Sequence, residues 1–230
     1  MVECLIKEWT SLSDLYNIDH PVTIFFGGGT PSLLDSKYIE KIVTSIDRLS
    51  SVLEVSLEAN PGDLHGKVSS LSSAGVTRLS VGIQALNDEE LKFLNRDHNV
   101  IQAWNAIDQS LKYFPKSTSV DLIFGRPNQN WTRFRGELEQ IIKSRVPHVS
   151  LYQLTVEKGT SLHKQVTSGQ VTLPEEDTMA EMYNNAVALL DEAGLARYEV
   201  SNFSVPGAQC LHNIGYWSGN ERIMIQGTLL

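Results

Sequence analysis

Along the chain, short apolar runs alternate with segments whose apolar residues recur at the helical spacing, and this pattern predicts strands and helices in turn. Short apolar runs predict six strands, and most are followed by a segment whose apolar residues recur at the helical spacing. The chain opens differently, because Leu5, Trp9, Leu12 and Tyr16 form a helical stripe before the first strand. The predicted strands are 22–26, 53–57, 78–81, 119–123, 148–154 and 196–200.

The segments between these strands carry helix signals. Helices are predicted near 35–49, 64–74, 101–113, 131–143 and 175–192, with a further one after the cap and acidic first turn at 87–90. Because strands that alternate with helices need crossover connections, the pattern predicts an α/β fold with a mainly parallel sheet and helices outside it. No repeat or linker is evident, so we expect no domain boundary before about residue 205.

Composition and charge exclude several classes of function. The 230 residues are 41% hydrophobic and 20% charged, with a net charge of -8 and a pI near 5.2, so we expect no nucleic-acid partner. No apolar run approaches the roughly 20 residues of a membrane-spanning helix. The first residues match neither a secretory signal nor an organellar presequence. Two cysteines, Cys4 and Cys210, cannot form a disulfide framework and indicate a reducing compartment.

Polar residues follow the predicted strands at the point where each ends. The first strand runs into the turn 27–32, whose three glycines permit close approach of the backbone to a polar ligand. That turn alone is also compatible with an ordinary βα connection or an anion cradle. The strand-end residues are Thr30, Glu58, Gln84, Asp121, Gln153 and Glu199. Carboxyl ends of parallel strands share one edge, so we expect these side chains to converge on hydroxyl or ammonium groups, with Arg96 available for a carboxylate.

Five motifs in register resemble the coproporphyrinogen-oxidase-like radical S-adenosylmethionine (SAM) proteins. They are Gly27-Gly28-Gly29-Thr30-Pro31-Ser32, Leu57-Glu58-Ala59-Asn60-Pro61, Ser80-Val81-Gly82-Ile83-Gln84, Asn95-Arg96-Asp97-His98 and Asp121-Leu122-Ile123-Phe124-Gly125-Arg126-Pro127. The resemblance covers roughly residues 5–220. It implies a partial TIM-like (β/α)6 barrel over residues 1–205, with residues 206–230 beginning a C-terminal region.

The resemblance also implies a SAM site at the carboxyl face of the barrel. Gly28, Gly29 and Thr30 would contact the methionine end of SAM. The residues that would complete the binding shell are Glu58, Gln84, Arg96 and Asp121.

One departure from the family concerns its 4Fe-4S cluster. The family holds the cluster with a C-x3-C-x2-C loop after the first strand, and this chain has only Cys4 and Cys210, far apart. We therefore expect that the first strand and the cluster loop are missing, that the chain is cut at both ends, and that it is inactive in radical chemistry as written. The cluster is expected only in a full-length member of the family.

Two functions compete within this family. One is that of a HemW-type haem chaperone, and the alternative is oxygen-independent oxidation of coproporphyrinogen III. The segment His212-Asn213-Ile214-Gly215-Tyr216-Trp217 is similar to the H-N-x-x-Y-W signature of the haem-chaperone branch. His212 is then the candidate iron ligand, with Tyr216 and Trp217 beside the porphyrin. This interpretation implies two partners, haem and a haem-accepting protein, and a mitochondrial location if the source is eukaryotic, or else a cytoplasmic one.

Overall fold

Seven strands form one sheet in the computed structural model, which describes residues 1–18, 21–47 and 51–226. They are β1 Thr23–Phe26, β2 Glu54–Ala59, β3 Arg78–Gln84, β4 Thr118–Phe124, β5 His148–Gln153, β6 Ala196–Arg197 and β7 Asn202–Ser204. Their order across the sheet is β1-β2-β3-β4-β5-β7-β6. The α/β alternation read from the sequence is confirmed.

The far edge of the sheet differs from the prediction. Strands β1 to β5 are parallel, whereas β7 pairs antiparallel with both β5 and β6. The predicted sixth strand at 196–200 is only two residues long, and 202–204 form a strand that was not predicted. The connection between β6 and β7 is too short for a crossover, so the two strands can pair only as a hairpin.

Nine α-helices lie within the described residues. They are α1 Val2–Tyr16, α2 Ser36–Ile46, α3 Val68–Ser73, α4 Asp88–Phe93, α5 Val100–Tyr113, α6 Trp131–Lys143, α7 Ser161–Thr167, α8 Glu176–Glu192 and α9 Leu211–Trp217. Short 3-10 turns cover Pro31–Leu33 and Pro61–Leu64. None of the helices in the described ranges is long and apolar enough to cross a membrane.

Two helical predictions needed correction. The predicted helix at 64–74 is a 3-10 turn followed by the short α3, because Gly66 takes a φ of +68° and interrupts it. Helix α7 was not predicted, although Thr160 caps it by accepting a hydrogen bond from the His163 N–H at 3.1 Å. Asn87 caps α4 as the sequence indicated, and Asp35, where the sequence predicted a helix to begin, caps α2. The predicted end of the helix at 35–49, which includes Leu49, lies outside the described residues.

The sheet has one apolar face and one polar face. The apolar face packs under the helices, and its residues include Val55, Leu57, Leu79, Val81, Val120, Leu122, Val149 and Leu151. The neighbouring residues on each strand face the other way and form what we call the polar face: Glu54, Ser56, Glu58, Arg78, Ser80, Ser119, Asp121, His148, Ser150 and Tyr152. Parallel strands covered by apolar layers on both sides would be hydrophobic on both faces. This polar face is therefore where the candidate chemistry lies.

Helix α9 is fixed to the amino end of β2 by a buried carboxylate. Glu54 accepts hydrogen bonds from the backbone N–H groups of Leu211 and His212, both at 3.1 Å, and from the thiol of Cys210 at 3.2 Å. Glu54 also forms an ion pair with Arg78 at 2.8 Å. The guanidinium of Arg78 in turn donates hydrogen bonds to the carbonyls of residues 208 and 209. Burial is the largest single influence on the pKa of Glu54 and raises it. The charge of Arg78 and the hydrogen bonds together outweigh burial, so the pKa of Glu54 is lowered.

Candidate functional site

A pocket of about 260 Å³ lies at the carboxyl ends of the parallel strands. We call it the strand-end pocket. Six of the seven residues expected to bind SAM line it: Gly29, Thr30, Glu58, Gln84, Arg96 and Asp121. The seventh, Gly28, donates its N–H to Glu58 Oε2 at 3.2 Å. Parallel strands bring these distant sequence positions to one edge, as sites in this class of fold require.

The glycine turn is shaped by backbone geometry that side chains would prevent. Gly28 and Gly29 have φ values of +75° and +53°, which only glycine adopts readily. A Cβ on Gly27 would lie 2.5 Å from a ring carbon of Phe25 and 3.4 Å from Glu58 Oε2. The turn can therefore lie close to Glu58, which accepts a hydrogen bond from the Gly28 N–H.

Two carboxyl groups, on the strands β2 and β4 that flank β3, face this pocket. Asp121 accepts hydrogen bonds from Ser80 Oγ at 3.0 and 2.9 Å and a longer one from Ser119 Oγ at 3.4 Å. Burial raises the pKa of Asp121 to about 6, and the nearby Glu58 charge adds to that rise. Burial also raises the pKa of Glu58, which the Gly28 N–H partly opposes. Such acceptors suit ligand hydroxyl groups.

Arg96 has unused hydrogen-bonding capacity at the pocket. Its Nε is buried and has no partner among the described residues, and burial lowers the pKa of the guanidinium. An unpaired buried donor is costly, so a ligand that supplied an acceptor there would gain an interaction that the protein itself does not make. This observation fits an anionic ligand group such as the carboxylate of an amino acid.

Gln84 is held in an unusual conformation at the end of β3. Its φ is +68°, and the register of β3 against β4 shifts between Val81 and Gln84. The buried guanidinium of Arg126 donates to the Gln84 carbonyl at 3.4 Å. A Cβ on Gly82 would lie 2.8 Å from the Gln84 amide nitrogen. The glycine thus leaves room for the Gln84 side chain over the strand.

Two of the six strand-end residues do not belong to the pocket. Gln153 lies next to Gly125 and Met179 instead, and Glu199 binds the Ser201 N–H and the Asn202 amide. Side chains alternate along a strand, so Tyr152 and not Gln153 shares the polar face with Asp121. The sequence reasoning also missed Ser80 as a pocket residue, and the available signal was that Ser80, Gly82 and Gln84 occupy alternate positions of one strand.

The cysteines do not fit an iron-sulfur cluster. Cys4 lies in α1, whereas Cys210 is buried near the amino end of α9 and donates to Glu54. Burial raises the pKa of Cys210 to about 11, while cluster ligands are thiolates. No group of three His, Cys, Asp or Glu side chains with metal-binding geometry occurs in the described part of the chain.

The residues of the H-N-x-x-Y-W segment lie at the other end of the polar face. His212 Nδ1 is 3.2 Å from Thr23 Oγ1, and its ring stacks on Phe25 with centroids 4.5 Å apart and an angle of 19°. Thr23 is the first residue of β1, so this position is at the amino end of the strands. Burial lowers the pKa of His212. We call His212, Tyr216 and Trp217 the α9 site.

The aromatic residues of the α9 site are largely exposed. Tyr216 is 50% and Trp217 59% exposed, and their rings meet edge to face at 5.5 Å. Within the described chain, His212 Nε2 makes no hydrogen bond, whereas Nδ1 faces Thr23. The structure therefore brings His212 and Tyr216 together one helical turn apart, but it does not bring them to the strand-end pocket.

A polar layer separates the two sites. It encloses a small cavity of about 50 Å³, whose lining includes Asp121 of the strand-end pocket and Asn213, the residue after His212. His148 bridges Ser119 at 2.6 Å and the Tyr198 hydroxyl at 2.7 Å. Burial lowers the pKa of His148 to about 3, so this imidazole is neutral at physiological pH.

Comparison with known proteins gives matches over most of the chain. The profile of the radical SAM superfamily matches residues 13–141, more than half of the chain. Radical S-adenosyl methionine domain-containing protein 1, mitochondrial, of Danio rerio is 40% identical over 97% of this chain and 51% of its own length. The heme chaperone HemW of Lactococcus lactis is 35% identical over 96% of this chain and 58% of its own length. The chain thus spans about half the length of these curated relatives.

One solved structure supports the fold. Coproporphyrinogen III oxidase (HemN) from Escherichia coli, described as a radical SAM enzyme, superimposes with a TM-score of 0.75. The match covers 94% of this chain and 50% of the other, at 20% sequence identity. At that identity the likeness concerns the fold alone.

Proposed function

The chain belongs to the radical SAM superfamily, and on that premise we propose that it is a haem-binding protein of the HemW type whose strand-end pocket binds SAM. The observation that carries this proposal is the pairing of the two sites on one polar face. The SAM-type residues line the carboxyl end, and His212 lies at the amino end with one ring nitrogen that has no hydrogen-bond partner among the described residues.

The strand-end pocket has the chemistry that SAM requires. Arg96 would bind the carboxylate of the methionine end, next to the backbone of Gly28 and Gly29. Glu58 and Asp121 would accept hydrogen bonds from ribose hydroxyl or ammonium groups, and Gln84 can both donate and accept. The buried Nε of Arg96, which has no hydrogen-bond partner in the described part of the chain, is the strongest support for an anionic group at this position.

The α9 site has the chemistry that haem iron requires. An imidazole binds iron through a nitrogen lone pair, so the ring must be neutral and one nitrogen must be free. The lowered pKa of His212 favours the neutral ring, and Thr23 at Nδ1 leaves Nε2 for the metal. Haem is then the cargo of the protein, held beside the exposed rings of Tyr216 and Trp217.

The alternative function, oxidation of coproporphyrinogen III, depends on the cluster. In this family the cluster supplies the electron that cleaves SAM, and the cysteine set of these 230 residues does not fit it. Haem binding through His212 needs no electron. The α9 site therefore supports the chaperone interpretation, because haem binding does not depend on the cluster.

Haem titration into the protein and into His212→Ala tests the proposal. We expect the parent protein to give a defined Soret band with a ligand-field spectrum typical of imidazole-bound iron. The His212→Ala variant should lose that spectrum and bind haem at least about tenfold more weakly, since a lost coordinate bond exceeds about 1.4 kcal/mol. The matched control is His163→Ala, a histidine on α7 far along the chain from α9.

The same titration can reject the proposal. An unchanged spectrum and affinity in His212→Ala would remove the α9 site from haem binding. Conversion of coproporphyrinogen III by a longer form of the protein would favour the oxidase instead. The further expectations, a haem-accepting partner protein and a mitochondrial location, follow the names of the relatives. They are tested by haem transfer to an apo-haemoprotein and by cell fractionation.

A further inference from the structure

An arginine lies over the ring of Tyr216 in the α9 site. Arg222 Cζ is 3.9 Å from the ring centroid of Tyr216. No carboxylate comes within ion-pair distance of Arg222 among the described residues, although Glu221 is its neighbour in sequence. Its positive charge is close enough to contribute to the lowered pKa of His212.

The position of Arg222 follows from a reversal of the chain after α9. Gly219 takes a φ of +73°, and the Asn220 N–H donates to the Gly215 carbonyl at 3.0 Å, so the next residues return along the helix. Ile223 and Ile225 then pack against the core, and the Gln226 N–H donates to Glu8 at 3.2 Å. These contacts fix the segment that carries Arg222.

Arg222 contacts Tyr216, and Tyr216 lies on the side of α9 where a porphyrin bound to His212 would lie. Tyr216 follows His212 by one helical turn, so the two side chains share one face of the helix. A porphyrin bound through His212 Nε2 would extend over that face, where Arg222 lies against the ring of Tyr216. Protoporphyrin carries two carboxylates at one edge, and a guanidinium is the side chain best suited to pair with a carboxylate.

We propose that Arg222 is the propionate-binding residue of the α9 site, which makes the site selective for metalloporphyrins that carry free carboxylates. This proposal rests on haem binding through His212. In the absence of haem, the guanidinium stacks on Tyr216, and the carboxylate of the porphyrin becomes its partner when haem binds.

Two ligands and two arginine variants test the role of Arg222. Iron(III) protoporphyrin IX and its dimethyl ester are titrated into the parent protein and into Arg222→Gln. The control is Arg135→Gln, an exposed arginine on α6 whose loss changes the net charge equally. We expect Arg222→Gln to weaken binding of the diacid by about three- to tenfold, with less effect in high salt, and to leave ester binding and the Soret position unchanged.

The outcomes separate this proposal from the haem site itself. An equal loss for both ligands would show that Arg222 acts through packing, and no loss for either would show that it is only a partner of Tyr216. Either result overturns the propionate role while a His212-dependent spectrum keeps the haem site. Independence of the spectrum from His212 would instead overturn the haem site on which the proposal depends.

Discussion

Arg126→Met removes a buried cation that lies behind the strand-end pocket. The Arg126 side chain is fully buried, and its Nη2 donates to both carboxylate oxygens of Glu137 at 2.7 and 2.6 Å. Its Nη1 lies 3.2 Å from Glu90 and donates to the Gln84 carbonyl. Methionine fills a similar volume without charge. The variant therefore leaves two poorly exposed carboxylates without their main partner.

The expected decrease in stability follows from the two carboxylates losing the positive charge that compensates them. Breaking a buried ion pair by removing one partner costs about 3–5 kcal/mol, because the remaining charge stays buried. Arg133 lies 3.7 Å from Glu90 and can compensate only that carboxylate. For a chain of this length, each kcal/mol lowers the melting temperature by about 2–4 °C. We expect a decrease of about 6–20 °C and weaker SAM binding, because Gln84 loses a contact.

Urea unfolding at pH 7, followed by circular dichroism, measures the effect. Arg135→Met is the matched control: its ion pair with Glu139 on α6 is exposed, and its loss should cost less than about 0.5 kcal/mol. Adding Glu137→Leu to Arg126→Met should recover a large part of the loss, since removing both partners is often neutral. A free energy of unfolding for Arg126→Met within about 1 kcal/mol of the parent would refute this reasoning.

Three other predictions concern the strand-end pocket and the cluster. The folded-state pKa of Asp121 is raised to about 6, so stability should fall as pH rises from about 4 to 6. The Asp121→Asn variant should show a flatter decrease, and its free energy of unfolding in urea at pH 7 should be about 1–2 kcal/mol higher than that of the parent. It should also bind SAM more weakly. An unchanged dependence of stability on pH would contradict the assigned pKa. Gly28→Ala meets no atom within 4 Å but must adopt a φ of +75°, so it should cost about 1–2 kcal/mol by thermal unfolding, and no loss would mean that the turn relaxes. Anaerobic reconstitution of the 230-residue chain with iron and sulfide should yield no 5′-deoxyadenosine from SAM, and product above background would show that the two cysteines suffice.

Local patterns in the sequence determined much of the fold and of the strand-end pocket. The alternation of short apolar runs with helical stripes predicts the five parallel strands, because crossover connections follow from that alternation alone. The positions of Glu58 and Gln84 at the ends of their strands predict their convergence for the same reason, whereas Asp121 lies in the middle of β4 and reaches the pocket from there. Helix caps such as Asn87 are likewise local, since the capping side chain bonds to an N–H two or three residues away.

The tertiary structure decided what depends on long-range pairing. Whether Tyr152 or Gln153 faces the pocket depends on the register of β5 against β4, and a shift of one residue reverses every side chain. The insertion of β7 between β5 and β6 is equally non-local. The sequence motif also left the location of His212 open, because its position depends on Glu54, which is 158 residues away and holds the start of α9 at the amino end of the sheet. A buried carboxylate must find its partners wherever the chain brings them, so only the folded structure places the two sites at opposite ends of one polar face.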